Sequence, residues 1–251
     1  GLGSGDYNNL AFDDADVVVT VGYDLVEYSP EAWNRKPGKK IVHIDFLAAE
    51  VDKDFQVTVD IESDLADALW QINEEIEKRA GDKLPIFDIS SRVKLRNIMT
   101  EDFAAEKDDT GFPVKPQKIL WDVRQFMGPK DIVLSDVGAH KMWISRYYQC
   151  IEPNTCLISN GFCTMGFAMP GSIGAKYACP DSKVLSISGD AGFMMNVQEL
   201  EVAVRKNLNI VAMVWVDGEY HINRPFDGYN QSPGEMELVR NQNTGGEMIF
   251  E

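Results

Sequence analysis

The chain has 251 residues, 44% of them hydrophobic, enough for one large or two modest domains with real cores. Its formal net charge is −16. That balance argues against nucleic acid or an anionic membrane as partner, because both are gripped by basic patches. The four cysteines (Cys150, Cys156, Cys163 and Cys179) form no C-x-x-C pair and the histidines number 3, so a zinc site is not expected. Free thiols without a signal peptide point to a reducing, cytoplasmic setting, and no apolar run approaches the roughly 20 residues that span a bilayer.

In chain order, Val17 to Val21 is a β-branched run that predicts a buried strand. Lys40 to Ile44 and Gln56 to Ile61 predict two more. His43 alternates with Val42 and Ile44 inside a strand, which reads as a satisfied structural histidine. Ser63 is the expected N-cap of a helix whose apolar stripe is Leu65, Leu69, Ile72 and Ile76, with Gly81 as its stop. Residues 81–112 carry mixed charge and read as a connection with one short helix near Ser91 to Glu101. A helix over about Pro116 to Phe126, a strand over Ile132 to Ser135 and a short strand over Cys156 to Ser159 follow. The next helix is expected over Ser172 to Tyr177, capped by Met169-Pro170-Gly171.

The most informative stretch comes last. Val184 to Ser188 predicts a buried strand that stops at Gly189-Asp190. Val197, Leu200 and Val204 fall at helical spacing, with Asn207 as C-cap. Ile210 to Val216 predicts a second buried strand, ending at Asp217, 27 positions after Asp190. Two consecutive parallel strands thus deliver two carboxylates to the carboxyl edge of one sheet, where open α/β sheets bind ligands. Oxygen ligands at such an edge suit Mg²⁺ together with substrate phosphates. Taken alone, Gly-Asp-x-Gly is also a common turn, and an Asp after a strand is often only a helix cap.

From Gly189 to Tyr220 the wording resembles the cofactor motif of thiamine-diphosphate enzymes, and Gly192 to Glu201 (Gly-Phe-Met-Met-Asn-Val-Gln-Glu-Leu-Glu) resembles acetolactate (acetohydroxyacid) synthase in particular. Ser135 to Trp143 (Ser-Asp-Val-Gly-Ala-His-Lys-Met-Trp) resembles that family's diphosphate-contacting loop. Ser159 to Gly171 resembles its thiamine-bending loop. Val21 to Pro30 and Ile41 to Asp45 resemble the second half of its middle domain. The resemblance covers about residues 1–222. It implies an α/β fold of doubly wound parallel sheets. Residues 1–80 would be the C-terminal half of a Rossmann-like middle domain, 81–112 a linker and 113–222 the diphosphate- and Mg²⁺-binding domain, whereas 223–251, rich in Asn, Gly, Gln, Glu and Pro and without sustained periodicity, reads from its composition as an atypical, disordered tail.

Residue by residue, the resemblance assigns Asp190 and Asp217 to Mg²⁺, joined by the backbone carbonyl of Glu219. It places Gly189, Ala191 and Gly192 at the diphosphate, where helix-start N–H groups favour phosphate. Gly138, Ala139 and His140 form the other phosphate-side loop, with His140 as a donor. Met165 matches the bulky residue wedged between the cofactor's two rings, though a Met in an apolar loop is otherwise a routine core filler. The carbonyl of Cys163, where the family usually has Gly, would accept from the 4′-amino group. The expected cofactors are thiamine diphosphate and Mg²⁺. Tyr23-Asp24 with Glu27-Tyr28 is closer to the catabolic, flavin-independent branch, so FAD is not expected.

The family also needs a pyrimidine-binding domain whose Glu activates the cofactor, and that carboxylate is absent from the sequence, so no catalytic residue is assigned. The chain is accordingly expected to be a fragment of a homo-oligomer (dimer or tetramer when full length). The implied reaction is 2-oxoacid decarboxylation and carboligation, pyruvate giving 2-acetolactate. The alternatives are another thiamine-diphosphate decarboxylase and a non-catalytic truncated fragment.

Overall fold

The structure, a computed structural model, describes residues 7–25, 29–36, 38–80 and 88–216. The chain divides into two compact units between Asp102 and Phe103. No helix among the described residues is long and apolar enough to cross a membrane.

In the first unit the order is α1 (Tyr7–Asp13), β1 (Val17–Val21), α2 (Pro30–Trp33), β2 (Lys40–Asp45), β3 (Val57–Glu62) and α3 (Leu65–Ala80). The three strands form a parallel sheet in the order β1-β2-β3, with Val18 opposite Ile41 and Thr20 opposite His43. One sheet face is sealed by Val18, Ile41, Trp33 and Phe55. Trp33 Nε1 donates to the Tyr23 hydroxyl at 2.9 Å, which lets the indole sit buried with its polar edge satisfied. His43 is structural as expected: its Nδ1 lies 2.9 Å from Thr20 Oγ1 and its ring meets Phe55 edge-on.

Two details of α3 differ from expectation. Its N-cap is Asp64, whose carboxylate accepts from Asp67 N at 3.0 Å, rather than Ser63. Its apolar stripe is also less covered than the spacing suggests. Leu69 and Ile76 stay exposed, and Ala68 is the buried residue.

The helix α4 (Ser90–Ala104) is longer than the short helix expected near Ser91 to Glu101. Its Phe103 belongs to the core of the second unit. That unit continues with α5 (Pro116–Phe126), β4 (Ile132–Ser135), α6 (Ala139–Tyr147), β5 (Cys156–Ile158), α7 (Ala168–Ala178), β6 (Val184–Gly189), α8 (Asp190–Met195), α9 (Glu199–Arg205) and β7 (Val211–Trp215). The sheet is wholly parallel, in the order β5-β4-β6-β7. β4 is buried at all four residues, the signature of a strand covered on both faces.

Alternate residues build two cores. Val133, Leu185 and Ile187 pack with α5 and α6 residues such as Leu120, Ile144 and Tyr147. Ile132, Leu134 and Val184 pack with Ala168 and Ala175 of α7 on the other face. The doubly wound α/β class is therefore present.

The expected single helix after β6 is two helices. Asn196 leaves helical geometry at φ −135° and separates α8 from α9. Val204, expected in the stripe, is 81% exposed, while its neighbour Ala203 is buried. Lys206 is the C-cap, and Asn207 takes the left-handed position just beyond it at φ 51°. There Leu208 N reaches Ala203 O at 2.8 Å and Asn207 N reaches Val204 O at 3.0 Å, closing the helix end. α7 starts at Ala168, four residues before the expected Ser172, because Pro170 in a first turn costs no hydrogen bond.

Asp131 joins the start of β4 to the start of β6. Its carboxylate accepts from Gly128 N at 2.7 Å and Lys183 N at 2.8 Å. Burial pushes its pKa up, but those two N–H bonds and the Lys183 ammonium outweigh burial and hold it below the ordinary carboxylate value. A pKa depressed on folding means stability that is complete above the unfolded value of about 4 and lost as pH falls through the folded value. Asp131→Asn is expected to cost about 1 kcal/mol at pH 7. In urea melts that cost should shrink progressively below about pH 4; a cost unchanged down to pH 2 would contradict this role.

Candidate functional site

β4 and β6 are neighbours in the sheet, yet the chain leaves them toward opposite faces. From β4 it passes into α6, which packs with α5, and from β6 it passes into α8 and α9, with α9 against α7. Open α/β sheets bind ligands where adjacent strands part in this way, outside their carboxyl ends. The segments arriving there are Asp136 to His140 after β4 and Gly189 to Gly192 after β6.

On the β4 side, Gly138 has φ 151°, a conformation that side chains disfavour. A Cβ there would fall 2.8 Å from His140 Cε1. Gly138 is thus required for the His140 ring to fold back over its own loop. That ring is buried, near Gly189 and 6.2 Å from the Trp215 ring. Ala139 and His140 open α6, where backbone N–H groups have no acceptor within the helix. Gly138, Ala139, His140 and Gly189 are therefore brought together.

On the β6 side, Asp190 is exposed at the first position of α8. Its Oδ1 accepts from Ala191 N at 2.7 Å, so the Ala191 N–H is engaged by its own neighbour. Gly192 is buried against Asp136: a Cβ would lie 3.1 Å from Asp136 Oδ1. The proposed metal ligands Asp217 and Glu219 lie outside the described residues. Among the described residues, no three His, Cys, Asp or Glu side chains gather as a metal site. β7 reaches the same edge, with Trp215 opposite Gly189, two residues before Asp217 in the sequence.

The third wall is the loop between β5 and α7. Cys163 is exposed with φ 48°, which costs a residue with a side chain about 1 kcal/mol and suits the Gly usual in the resembled family. Met165 is half-buried. The residues that fix this loop escaped the sequence reading. Lys141 Nζ donates to Ser159 O at 2.9 Å and lies 3.3 Å from Cys163 Sγ. Asp136 is fully buried and accepts from Gly166 N and Ala168 N. Asn196 Nδ2 donates to Gly166 O at 2.7 Å. The only sequence signal was the position of Asp136, Lys141 and Asn196 inside the resembled motifs.

Two family profiles match the chain. "Thiamine pyrophosphate enzyme, C-terminal TPP binding domain" matches residues 136–241, and "Thiamine pyrophosphate enzyme, central domain" matches residues 1–72. The first profile thus begins at Asp136 and takes in both strand-end loops. The chain belongs to the thiamine pyrophosphate enzymes. Within that class it is acetolactate-synthase-like. It is 33% identical to the acetolactate synthase of Bacillus subtilis over 84% of this chain and 37% of that protein. It is 32% identical to the catabolic acetolactate synthase of Raoultella terrigena over 86% of this chain and 39% of that protein. It is 31% identical to the chloroplastic acetolactate synthase of Arabidopsis thaliana over 94% of this chain and 37% of that protein. The chain spans a little over a third of the length of these relatives.

The thiols differ sharply in setting. Burial pushes the Cys156 thiol up to about 12, and neighbouring Cys150 adds to the shift. Cys163 stands exposed on the loop beside Lys141. Because the thiolate is the reactive form, iodoacetamide at pH 8 is expected to label Cys163 at least about a hundredfold faster than Cys156. Peptide mass spectrometry over a time course measures this, and equal rates would contradict the loop's placement.

Proposed function

We propose that the chain carries the diphosphate- and metal-holding half of an acetolactate-synthase-like site that takes thiamine diphosphate and Mg²⁺. The observation that carries the reading is the parting of the chain after the adjacent strands β4 and β6, which brings Gly138, at φ 151°, and Asp190 to the carboxyl edge of one sheet. The residues present fit the group. A Cβ at Gly138 would meet the His140 ring, and the start of α6, whose dipole favours phosphate, follows directly at the same strand end. Asp190 is an exposed carboxylate at the strand end, the hard oxygen donor that Mg²⁺ prefers.

In this reading Asp190, Asp217 and the Glu219 carbonyl hold Mg²⁺. Gly138, Ala139, His140, Gly189, Ala191 and Gly192 surround the diphosphate. Met165 would stand between the cofactor's two rings, and the Cys163 carbonyl would accept from its aminopyrimidine. When bound, thiamine diphosphate supplies the carbon nucleophile and the electron sink for decarboxylating one 2-oxoacid and joining its remainder to a second. The chain's own residues bind, bend and orient the group, which is how a protein lowers the entropic part of such a barrier. Pyruvate is the substrate and 2-acetolactate the product. Residues 113–222, extended by the profile match to 241, form the diphosphate- and Mg²⁺-binding domain, with 1–80 the C-terminal half of the middle domain and 81–112 the connection. The protein is a cytoplasmic homo-oligomer that needs no flavin.

Titration calorimetry tests the binding step. Thiamine diphosphate is expected to bind the chain in the presence of Mg²⁺ and at least about tenfold more weakly without it. Asp190→Asn is expected to remove that metal dependence. Binding that ignores both Mg²⁺ and the Asp190 substitution, or no binding at all, would reject the reading. Product analysis on pyruvate with the full-length protein then separates 2-acetolactate, the expected product, from acetaldehyde.

A further inference from the structure

The half-buried loop that carries Met165 is pinned from two directions by side chains to which no role in the site has so far been given. Asp136 follows β4 and is 0% exposed. Its Oδ1 accepts from Val137 N at 2.7 Å and Gly166 N at 2.9 Å, and its Oδ2 accepts from Ala168 N at 3.1 Å. A carboxylate removed from water needs such donors, and charge-assisted bonds to it are about twice as strong as neutral ones. Asn196, at the break between α8 and α9, donates to Gly166 O at 2.7 Å. The peptide groups on both sides of Gly166 are thereby held, one by each side chain. Gly166 itself has φ 79°, and a Cβ there would fall 2.5 Å from Asn196 Nδ2, so no side chain fits at this position. The same Asp136 carboxylate packs against Gly192 in α8. One buried side chain therefore ties the end of β4, the loop before α7 and the helix after β6 together.

We infer that Asp136 and Asn196 are positioning residues that fix the backbone beside Met165 and so set where its side chain stands between the cofactor's rings. This rests on the reading of Met165 as the ring wedge. The inference separates two halves of the ligand. The diphosphate is held by the loops at Gly138 and Asp190, whereas the rings depend on the loop at Met165. Loss of the pin should therefore weaken recognition of the rings and spare that of the pyrophosphate.

Titration calorimetry with two probes, thiamine diphosphate with Mg²⁺ and inorganic pyrophosphate with Mg²⁺, makes the test. Asp136→Asn keeps the size of the side chain but turns an N–H group toward Ala168 N–H, donor against donor. It is expected to weaken thiamine diphosphate about tenfold or more and to change pyrophosphate by less than about twofold. Met165→Ala should give the same split. Asn196→Ala is the second variant of the pin, and it keeps the test decisive if Asp136 variants fail to fold. Hydrogen exchange without any ligand gives an independent readout. The Gly166 and Ala168 amides are expected to exchange faster in Asp136→Asn while the β4 and β6 amides stay protected. Equal weakening of both probes would reduce the pair to a purely structural role and overturn the inference, as would unchanged binding in both variants. A parent chain that binds pyrophosphate but gains nothing from the rings, or binds neither probe, would sink the cofactor reading itself and the inference with it.

Discussion

A strand in a parallel sheet reaches its next neighbour through a right-handed crossover in nearly all folds, so the direction of travel along the sheet decides which face the crossover covers. In the second unit that rule separates the chain between β4 and β6. The path from β4 to β5 runs one way along the sheet and places α6 with α5. The paths from β5 to β6 and from β6 to β7 run the other way and place α7 and α9 on the opposite face. Alternation along the strands supplies apolar residues to both sides, with Val133, Leu185 and Ile187 to one and Ile132, Leu134 and Val184 to the other. The meeting of the Gly138 loop, the His140 ring and Gly189 at the carboxyl ends of β4 and β6 is a consequence of this arrangement.

That meeting point still has to be held to a fixed shape. Hydrophobic packing does this poorly at a strand end, where the chain turns away from both cores. Here the work falls to polar side chains with backbone partners. Asp136, Lys141 and Asn196 each reach from one strand-end segment to the loop before α7. Such bonds are directional, and a buried carboxylate left with fewer donors is costly, so the loop has few alternatives. Rigidity of this kind is what an orienting site requires, because small misplacements of a bound group cost rate steeply.

Much of the architecture was legible in the sequence because its strands are short β-branched runs stopped by Gly or Asp. Val17 to Val21 and Ile132 to Ser135 were read with their observed limits, and Val184 to Ser188 extends by one residue to Gly189. The break between α8 and α9 was not legible. Val197, Leu200 and Val204 satisfy a helical period, and what ends α8 is a tertiary bond from Asn196 to a carbonyl 30 residues away in sequence. Asp136 was hidden for the same reason: an acid after a strand looks like a solvent-facing loop residue until Gly166 and Ala168 are folded onto it. The N-cap of α3 was misplaced by one residue because Ser63 and Asp64 are both good caps, and only geometry chooses between them. The candidate site was legible through its motifs, which marked Gly138, His140, Gly189 and Asp190 as neighbours across 52 residues of sequence. Asp217 and Glu219 rest on the motif alone.

The proposed seat for a pyrophosphate and its divalent ion lies where β4 and β6 part. Diffraction from crystals grown with thiamine diphosphate and Mn²⁺ tests it most directly. An anomalous peak beside the Asp190 carboxylate, with diphosphate density reaching the Gly138 turn, is the result the account predicts. A metal peak remote from Asp190, or cofactor density away from the carboxyl ends of β4 and β6, would contradict it.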